Sequence, residues 1–163
     1  MIINVLIILV AQLVSVQGGI QMTFKYAEVP SYNKEYVTEP DMYIYDGDKV
    51  FLNYSVIKQF PPTTEEHYVI LGASMGEYVV ETGFDLQLPL CEFLDLGMGY
   101  FSDLLGFDQD NCPPKPGVYG NEAHVFAAND FTDNFPTNEY KSFLEFKNNS
   151  EVIMALCTFL DIQ

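Results

Sequence analysis

The sequence predicts an all-β domain, a β-sandwich with one short helix. Three observations lead to this fold class. Apolar and polar residues alternate in short runs, turn residues separate those runs, and the period changes to that of a helix between Cys91 and Cys112. Many short alternating runs with turn signals between them are typical of a sandwich.

The chain begins with an apolar run over residues 2–10, followed by small residues near Gly18. The run is shorter than the roughly 20 apolar residues of a membrane-spanning helix, and it favours a secretory signal peptide over residues 1–18. A retained N-terminal anchor is the alternative, because no Lys or Arg precedes the run. We expect secretion to the extracellular space, one mature domain over residues 19–163, and no transmembrane segment after cleavage.

The strands before Cys91 follow from turn chemistry. Asp46-Gly47 between two alternating runs is the clearest hairpin signal, Pro30 ends the first run, and Gly72 and Gly76 indicate a bulge or bend. The predicted strands are 23–28, 41–45, 49–58, 67–75, 77–82 and 84–88. Phe84, Leu86 and Leu88 alternate with polar residues in the last of these, so one of its faces should be buried.

A helix is predicted between the two cysteines. Leu94, Met98, Phe101 and Leu105 are spaced as i, i+4, i+7 and i+11, and Phe93 widens the stripe. Glycines within the segment weaken it by roughly 1 kcal/mol each, so the helix needs tertiary packing or a disulfide to persist. Strands are then predicted at 118–127, 139–147 and 151–162. The last is apolar on both faces, as a central strand would be.

Composition excludes several function classes. The net charge is −16, and all seven basic residues are Lys. A surface this acidic repels phosphate backbones, so we expect no nucleic-acid partner. The two histidines, His67 and His124, have no Cys, Asp or Glu at metal-ligand spacing, and no Gly-x-Ser-x-Gly motif occurs. We therefore expect neither an enzyme nor a metal or other cofactor.

The chain is rich in aromatic residues, with 13 Phe and 11 Tyr. Most are explained by the packing of a sandwich core. The other interpretation is that the helix stripe and the inner strand faces line an apolar cavity that accepts an acyl chain or a similar ligand. Composition and periodicity leave both interpretations open.

Residues 86–119 carry a family resemblance. They contain Leu-Pro-Leu-Cys-Glu-Phe-Leu and Asn-Cys-Pro-Pro around the predicted helix. This arrangement resembles the signature of small secreted insect proteins of the ML (lipid-recognition) type, which include the contact-chemosensation B family and, more remotely, the ganglioside activator protein. The resemblance covers roughly residues 84–163 well and the N-terminal half in outline.

The resemblance implies an immunoglobulin-like β-sandwich that holds a lipid or another apolar ligand between its sheets. It also supports the pairing of Cys91 with Cys112, which flank a helix-length segment, and this pairing leaves Cys157 as a buried free thiol. The expected ligand-binding residues lie on the helix and on the strand before it: Phe84, Leu86, Phe93, Leu94, Met98, Phe101 and Leu105.

Two functions remain after these exclusions. The first is a secreted carrier or presenter of a lipid or other apolar molecule, with a role in chemosensation implied by the family. The second is an extracellular interaction protein with a fully packed core and no ligand, recognised by a receptor through its acidic surface and exposed tyrosines. In either case Asn53 and Asn148 begin glycosylation sequons.

Overall fold

The computed structural model describes residues 21–96, 99–125 and 135–163. The predicted signal peptide and Met98 lie outside these residues. Within them, eight strands form two sheets, and two short α-helices and one 3₁₀ helix lie between the fifth and sixth strands. The strands are β1 (Met22–Tyr32), β2 (Asp41–Tyr45), β3 (Lys49–Val56), β4 (Thr64–Ser74), β5 (Glu77–Pro89), β6 (Gly117–Val125), β7 (Asn138–Asn148) and β8 (Glu151–Ile162). The helices are α1 (Leu90–Asp95), α2 (Gly99–Leu105) and the 3₁₀ helix Gln109–Asn111.

The strands form an antiparallel sandwich. The order in the five-stranded sheet is β1-β8-β7-β4-β5, and the order in the three-stranded sheet is β2-β3-β6. The two sheets bury one continuous apolar core between them. The predicted all-β sandwich is confirmed. The predicted single helix is divided into α1 and α2.

The predicted turns have the backbone that their residues favour. Asp46 and Gly47, between β2 and β3, have φ angles of 53° and 78°. Gly76, between β4 and β5, has a φ of 85°, which costs glycine little because it has no Cβ. The β4–β5 register shifts between Gly72 and Ala73, as the predicted bulge requires.

Several strand boundaries differ from the predictions, and two of these differences concern residues that were expected to interrupt a strand, Pro30 and Gly83. Strand β1 continues through Pro30 to Tyr32, and its pairing with β8 shifts register between Glu28 and Ser31. Because β1 lies at the edge of its sheet, a proline without an N–H is tolerated there. The two strands predicted on either side of Gly83 form the single strand β5.

Strand β8 lies in the interior of the fold and is covered on both of its faces. It lies between β1 and β7, and its residues from Ile153 to Leu160 are all buried. Side chains alternate between the two faces of a strand, so burial on both faces means that both are covered. The inner face is covered by the opposite sheet. On the outer face, the ring of Tyr26 stacks on Phe159 with centroids 4.1 Å apart.

Candidate ligand-binding cavity

The helical segment joins the two sheets at one side of the sandwich. Helix α1 packs against β4 and β5, while α2 packs against β6 and β3. On the opposite side the sheets meet directly, where the backbone N–H of Phe24 donates to the carbonyl oxygen of Gly47 at 3.1 Å. The helices therefore fill the gap between the edge strands β5 and β6.

A disulfide and several hydrogen bonds hold this segment in place. Cys91 in α1 is bonded to Cys112, which follows the 3₁₀ helix, so the predicted pairing is confirmed. The hydroxyl of Tyr54 donates to the carbonyl oxygen of Leu105 at 3.0 Å. The Asn121 side chain donates to the carbonyl oxygen of Asp103 at 3.1 Å. Both contacts attach the C-terminal half of α2 to the three-stranded sheet.

The structure places most of the predicted ligand-binding residues in the core. On the helices, Phe93 and Leu105 are fully buried, Phe101 is 2% exposed and Leu94 is 5% exposed. Leu86 and Phe84 are half-buried on β5. At the level of α2, the described residues enclose a space of about 10 Å³ between the sheets, lined in part by Phe101 and Leu104. A space of this size holds at most a single water, so these two side chains are closely packed.

A larger cavity lies further along the five-stranded sheet, where β4 ends, β5 begins and the chain enters β7. Its volume is about 470 Å³, within the range of small-molecule sites. It is lined by Gly72, Val80, Glu81, Thr82, Gly83, Phe84, Phe135, Pro136, Asn138 and Tyr140. We refer to it as the β4–β5–β7 cavity.

Phe84 connects this cavity to the packed interior. Its ring meets Tyr68 edge-on with centroids 5.4 Å apart, and Tyr68 meets Phe101 at 4.7 Å. Phe101 in turn lies 5.1 Å from Phe93. Three of the predicted residues therefore belong to one line of aromatic rings that runs from the cavity wall to α1, with Tyr68 as the link.

The polar side chains of the cavity lining bond mainly to the backbone. Thr82 Oγ1 donates to the carbonyl oxygen of Ile70 at 2.7 Å, Asn138 Nδ2 donates to that of Ala73 at 3.0 Å, and the Tyr140 hydroxyl donates to that of Pro136 at 2.6 Å. Partial burial also raises the pKa of the Tyr140 hydroxyl, which keeps it uncharged. These bonds occupy the side-chain donors of Thr82, Asn138 and Tyr140, and Val80, Phe84 and Phe135 provide apolar surface in the same wall.

One buried acid was missed at the sequence level. Glu66 lies on the inner face of β4 and is fully buried, and neither carboxylate oxygen has a hydrogen-bond partner among the described residues. Its register neighbours are Leu88 on β5 and Phe146 on β7. Burial alone raises the pKa of this carboxyl from 4.5 to about 8, because water no longer stabilises its charged form. Alternation along β4 was the available signal: Glu66 is in phase with the buried Thr64 and Tyr68.

Each of the two histidines lies beside an aspartate. His67 Nε2 lies 2.8 Å from an oxygen of Asp85, and the buried His124 has Nδ1 2.6 Å from an oxygen of Asp103. The first pair joins β4 to β5 and the second joins β6 to α2. Among the described residues, no group of three or more His, Cys, Asp and Glu is placed to hold a metal ion.

The remaining predicted features lie on both sheets. Asn53 is exposed on β3, and Asn148 ends β7 with its Oδ1 accepting a hydrogen bond from Thr63 Oγ1 at 2.8 Å. Cys157 is a free thiol, 1% exposed, as predicted. Over the described ranges, no helix has the length and hydropathy needed to span a bilayer.

Comparison with known proteins adds no assignment. No protein-family model matches the chain, and no curated protein matches it in sequence.

Proposed function

We propose that the protein is a secreted, non-enzymatic carrier or presenter of a lipid or other apolar ligand, with the β4–β5–β7 cavity receiving part of that ligand. The observation that carries the proposal is the cavity itself, about 470 Å³ with Val80, Phe84, Phe135 and Tyr140 in its wall. The resemblance of residues 86–119 to the ML-type signature supports the same function and a role in chemosensation.

Binding in such a site is driven by the removal of hydrocarbon from water. Each methylene group buried contributes about 0.8 kcal/mol. Because Thr82, Asn138 and Tyr140 already donate to backbone carbonyl groups, the wall favours an apolar chain over a polar ligand that needs several hydrogen bonds. Glu81, also in the lining, provides a carboxylate at this site.

Adjacent valines on β5 provide a matched test. Val80 lines the cavity and is 44% exposed, whereas Val79 is 61% exposed, is not among the lining residues and lies at the shift in the β4–β5 register. We expect Val80→Asp to weaken the binding of a fluorescent long-chain fatty acid at least tenfold, about 1.4 kcal/mol, because the carboxylate must be desolvated by the acyl chain. Val79→Asp should bind the probe as the parent does.

The assay uses the full chain expressed in insect cells. Mass spectrometry of an organic extract of the purified protein identifies any ligand that is already bound, and displacement of the probe measures affinity. Circular dichroism establishes that both variants remain folded. The proposal fails if the parent binds no probe and yields no extractable lipid, or if the two variants lose affinity equally.

The second candidate is an extracellular interaction protein with a packed core and no ligand. It is favoured by the burial of Phe93, Phe101 and Leu105, which places the described part of the helix stripe in the core. Exposed tyrosines such as Tyr26 and Tyr43 would then contact a receptor. A parent protein that binds no apolar probe would favour this candidate.

A further inference from the structure

The outer face of the three-stranded sheet exposes an aromatic pair. Tyr43 on β2 lies opposite Phe51 on β3 in the pairing register, and their rings stack with centroids 4.6 Å apart and an interplanar angle of 15°. Tyr43 is 46% exposed and Phe51 is half-buried. Large exposed rings that lie together are a common feature of binding surfaces.

Asn53 stands beside this pair on the same face. It is two residues beyond Phe51 on β3, so both side chains point outward about 7 Å apart along the strand. Asn53 is exposed, and its two register neighbours are Asp41 on β2 and Gly120 on β6. Gly120 has no side chain that could cover Asn53.

From this geometry we propose that Asn53 carries an N-linked glycan whose innermost N-acetylglucosamine packs on Phe51 and Tyr43. The inference rests on the secretion included in the proposed function. A pyranose ring has a face of C–H groups, and an aromatic side chain offers a large apolar surface to such a face. The sugar would cover apolar surface of the pair that otherwise faces water, which stabilises the folded state.

The attachment is a group transfer from a lipid-diphosphate-linked oligosaccharide. A bond forms between Nδ2 of Asn53 and C1 of the first sugar, and the bond between C1 and the diphosphate oxygen breaks. The lipid diphosphate leaves with that electron pair, and the amide loses one proton to a base of the transferase. Ser55, the third residue of the sequon, lies on the same outward face.

The second sequon is a natural control. Asn148 also has a phenylalanine two residues before it, so the two sequons are alike in sequence. Phe146, however, is fully buried, and its ring packs near that of Phe60 with centroids 6.4 Å apart. A glycan on Asn148 would have no exposed ring from this position to pack on, and only the Asn53 glycan should stabilise the fold through an aromatic side chain.

The test compares glycoforms of the full chain secreted by insect cells. Peptide mapping should find Asn53 occupied. Trimming with an endoglycosidase that leaves the innermost sugar should keep the thermal unfolding midpoint unchanged. Removing the sequon through Asn53→Gln or, separately, Ser55→Ala should lower the midpoint by about 3 °C, the shift that a modest loss of stability produces in a domain of this size.

The decisive measurement is whether the stabilisation by the Asn53 glycan depends on the aromatic pair. In a Phe51→Thr background, loss of the Asn53 sequon should leave the midpoint unchanged. In the parent, Ser150→Ala, which removes the second sequon and keeps the hydrogen bond between Thr63 and Asn148, should not reproduce the effect. An unmodified Asn53, or a stabilisation that persists without Phe51, would overturn the inference. Ligand binding is measured separately, so a glycosylated protein that binds no apolar probe contradicts the proposed function and leaves this inference standing.

Discussion

Replacement of Glu66 by glutamine tests whether the core of this sandwich holds an uncharged carboxyl group. Glu66 is fully buried on β4 with neither oxygen hydrogen-bonded among the described residues, and Leu88 and Phe146 are its register neighbours. Glutamine has the same shape but cannot ionise. The substitution therefore removes the titration while keeping the volume of the side chain.

The magnitude follows from the pKa of the carboxyl. Burial raises the pKa of Glu66 from 4.5 to about 8, and at about 1.4 kcal/mol per pKa unit this difference corresponds to about 5 kcal/mol. Since the folded-state pKa is the higher one, the unfolded chain loses this proton first as pH rises. The contribution of Glu66 to stability is complete below pH 4.5, falls by about 1.4 kcal/mol per pH unit and is lost above pH 8.

Urea unfolding of the parent and the variant, followed from about pH 5 to about pH 9, measures this contribution directly. The glutamine variant would bury an amide without partners, which costs about 1–2 kcal/mol at every pH. Glu66→Gln should therefore be less stable than the parent near pH 5 and more stable near pH 8. The matched control is Glu65→Gln, because Glu65 is exposed on the other face of β4 and should not change the difference between acid and alkaline pH.

A constant difference between Glu66→Gln and the parent across this pH range would refute the reasoning. So would a difference of the opposite sign, with the parent gaining stability over the variant as pH rises. Either result would mean that the carboxyl is solvated or paired with a cation in the folded protein, contrary to its position in the core.

Three further predictions concern the cysteines and a glycine. The double substitution Cys91→Ser, Cys112→Ser should lower the free energy of unfolding by about 3 kcal/mol, because the bridge closes a loop of 21 residues in the unfolded chain. An unchanged urea midpoint would contradict this prediction. Burial raises the pKa of the Cys157 thiol to about 12. A thiol reagent at pH 8 should therefore label Cys157 only after unfolding. Rapid labelling of the folded protein would show that the thiol is accessible. Gly120→Ala should destabilise the fold by about 3 kcal/mol in urea unfolding, because its Cβ would lie 2.0 Å from a backbone carbonyl oxygen of β3. Gly47→Ala, at a positive φ with nothing within 4 Å, should cost less, and equal losses would rule out the steric explanation.

The sequence predicted the elements whose signals are local. Asp46-Gly47 indicated the β2–β3 hairpin, since that dipeptide favours the positive φ angles the turn needs. The apolar run of 151–162 predicted a central strand, and β8 is one. The helical period between Cys91 and Cys112 predicted helix in that segment. It did not predict the division into α1 and α2.

Features that depend on distant pairing were not predictable in the same way. Val80 and Tyr140 share a cavity wall because β5 and β7 both pair with β4, and nothing local in either segment indicates that arrangement. Glu66 had a signal in the alternation of β4, but an acidic residue in a chain with 23 acids is expected to face solvent. Only the register shows that the carboxyl lies between Leu88 and Phe146.

The inner face of β4 explains how a packed core and a cavity coexist in one sandwich. At Tyr68 the face carries a large ring, and this ring, with Phe101, fills the space up to the helices. Further along the same face, at Gly72, the side chain is absent. A Cβ at that position would lie 3.2 Å from Nδ2 of Asn138 and 3.5 Å from the ring of Tyr140, both in the cavity wall. Glycine at this position therefore lets the side chains of Asn138 and Tyr140 lie close to the backbone of β4 in the cavity wall, whereas the large ring of Tyr68 packs against α2.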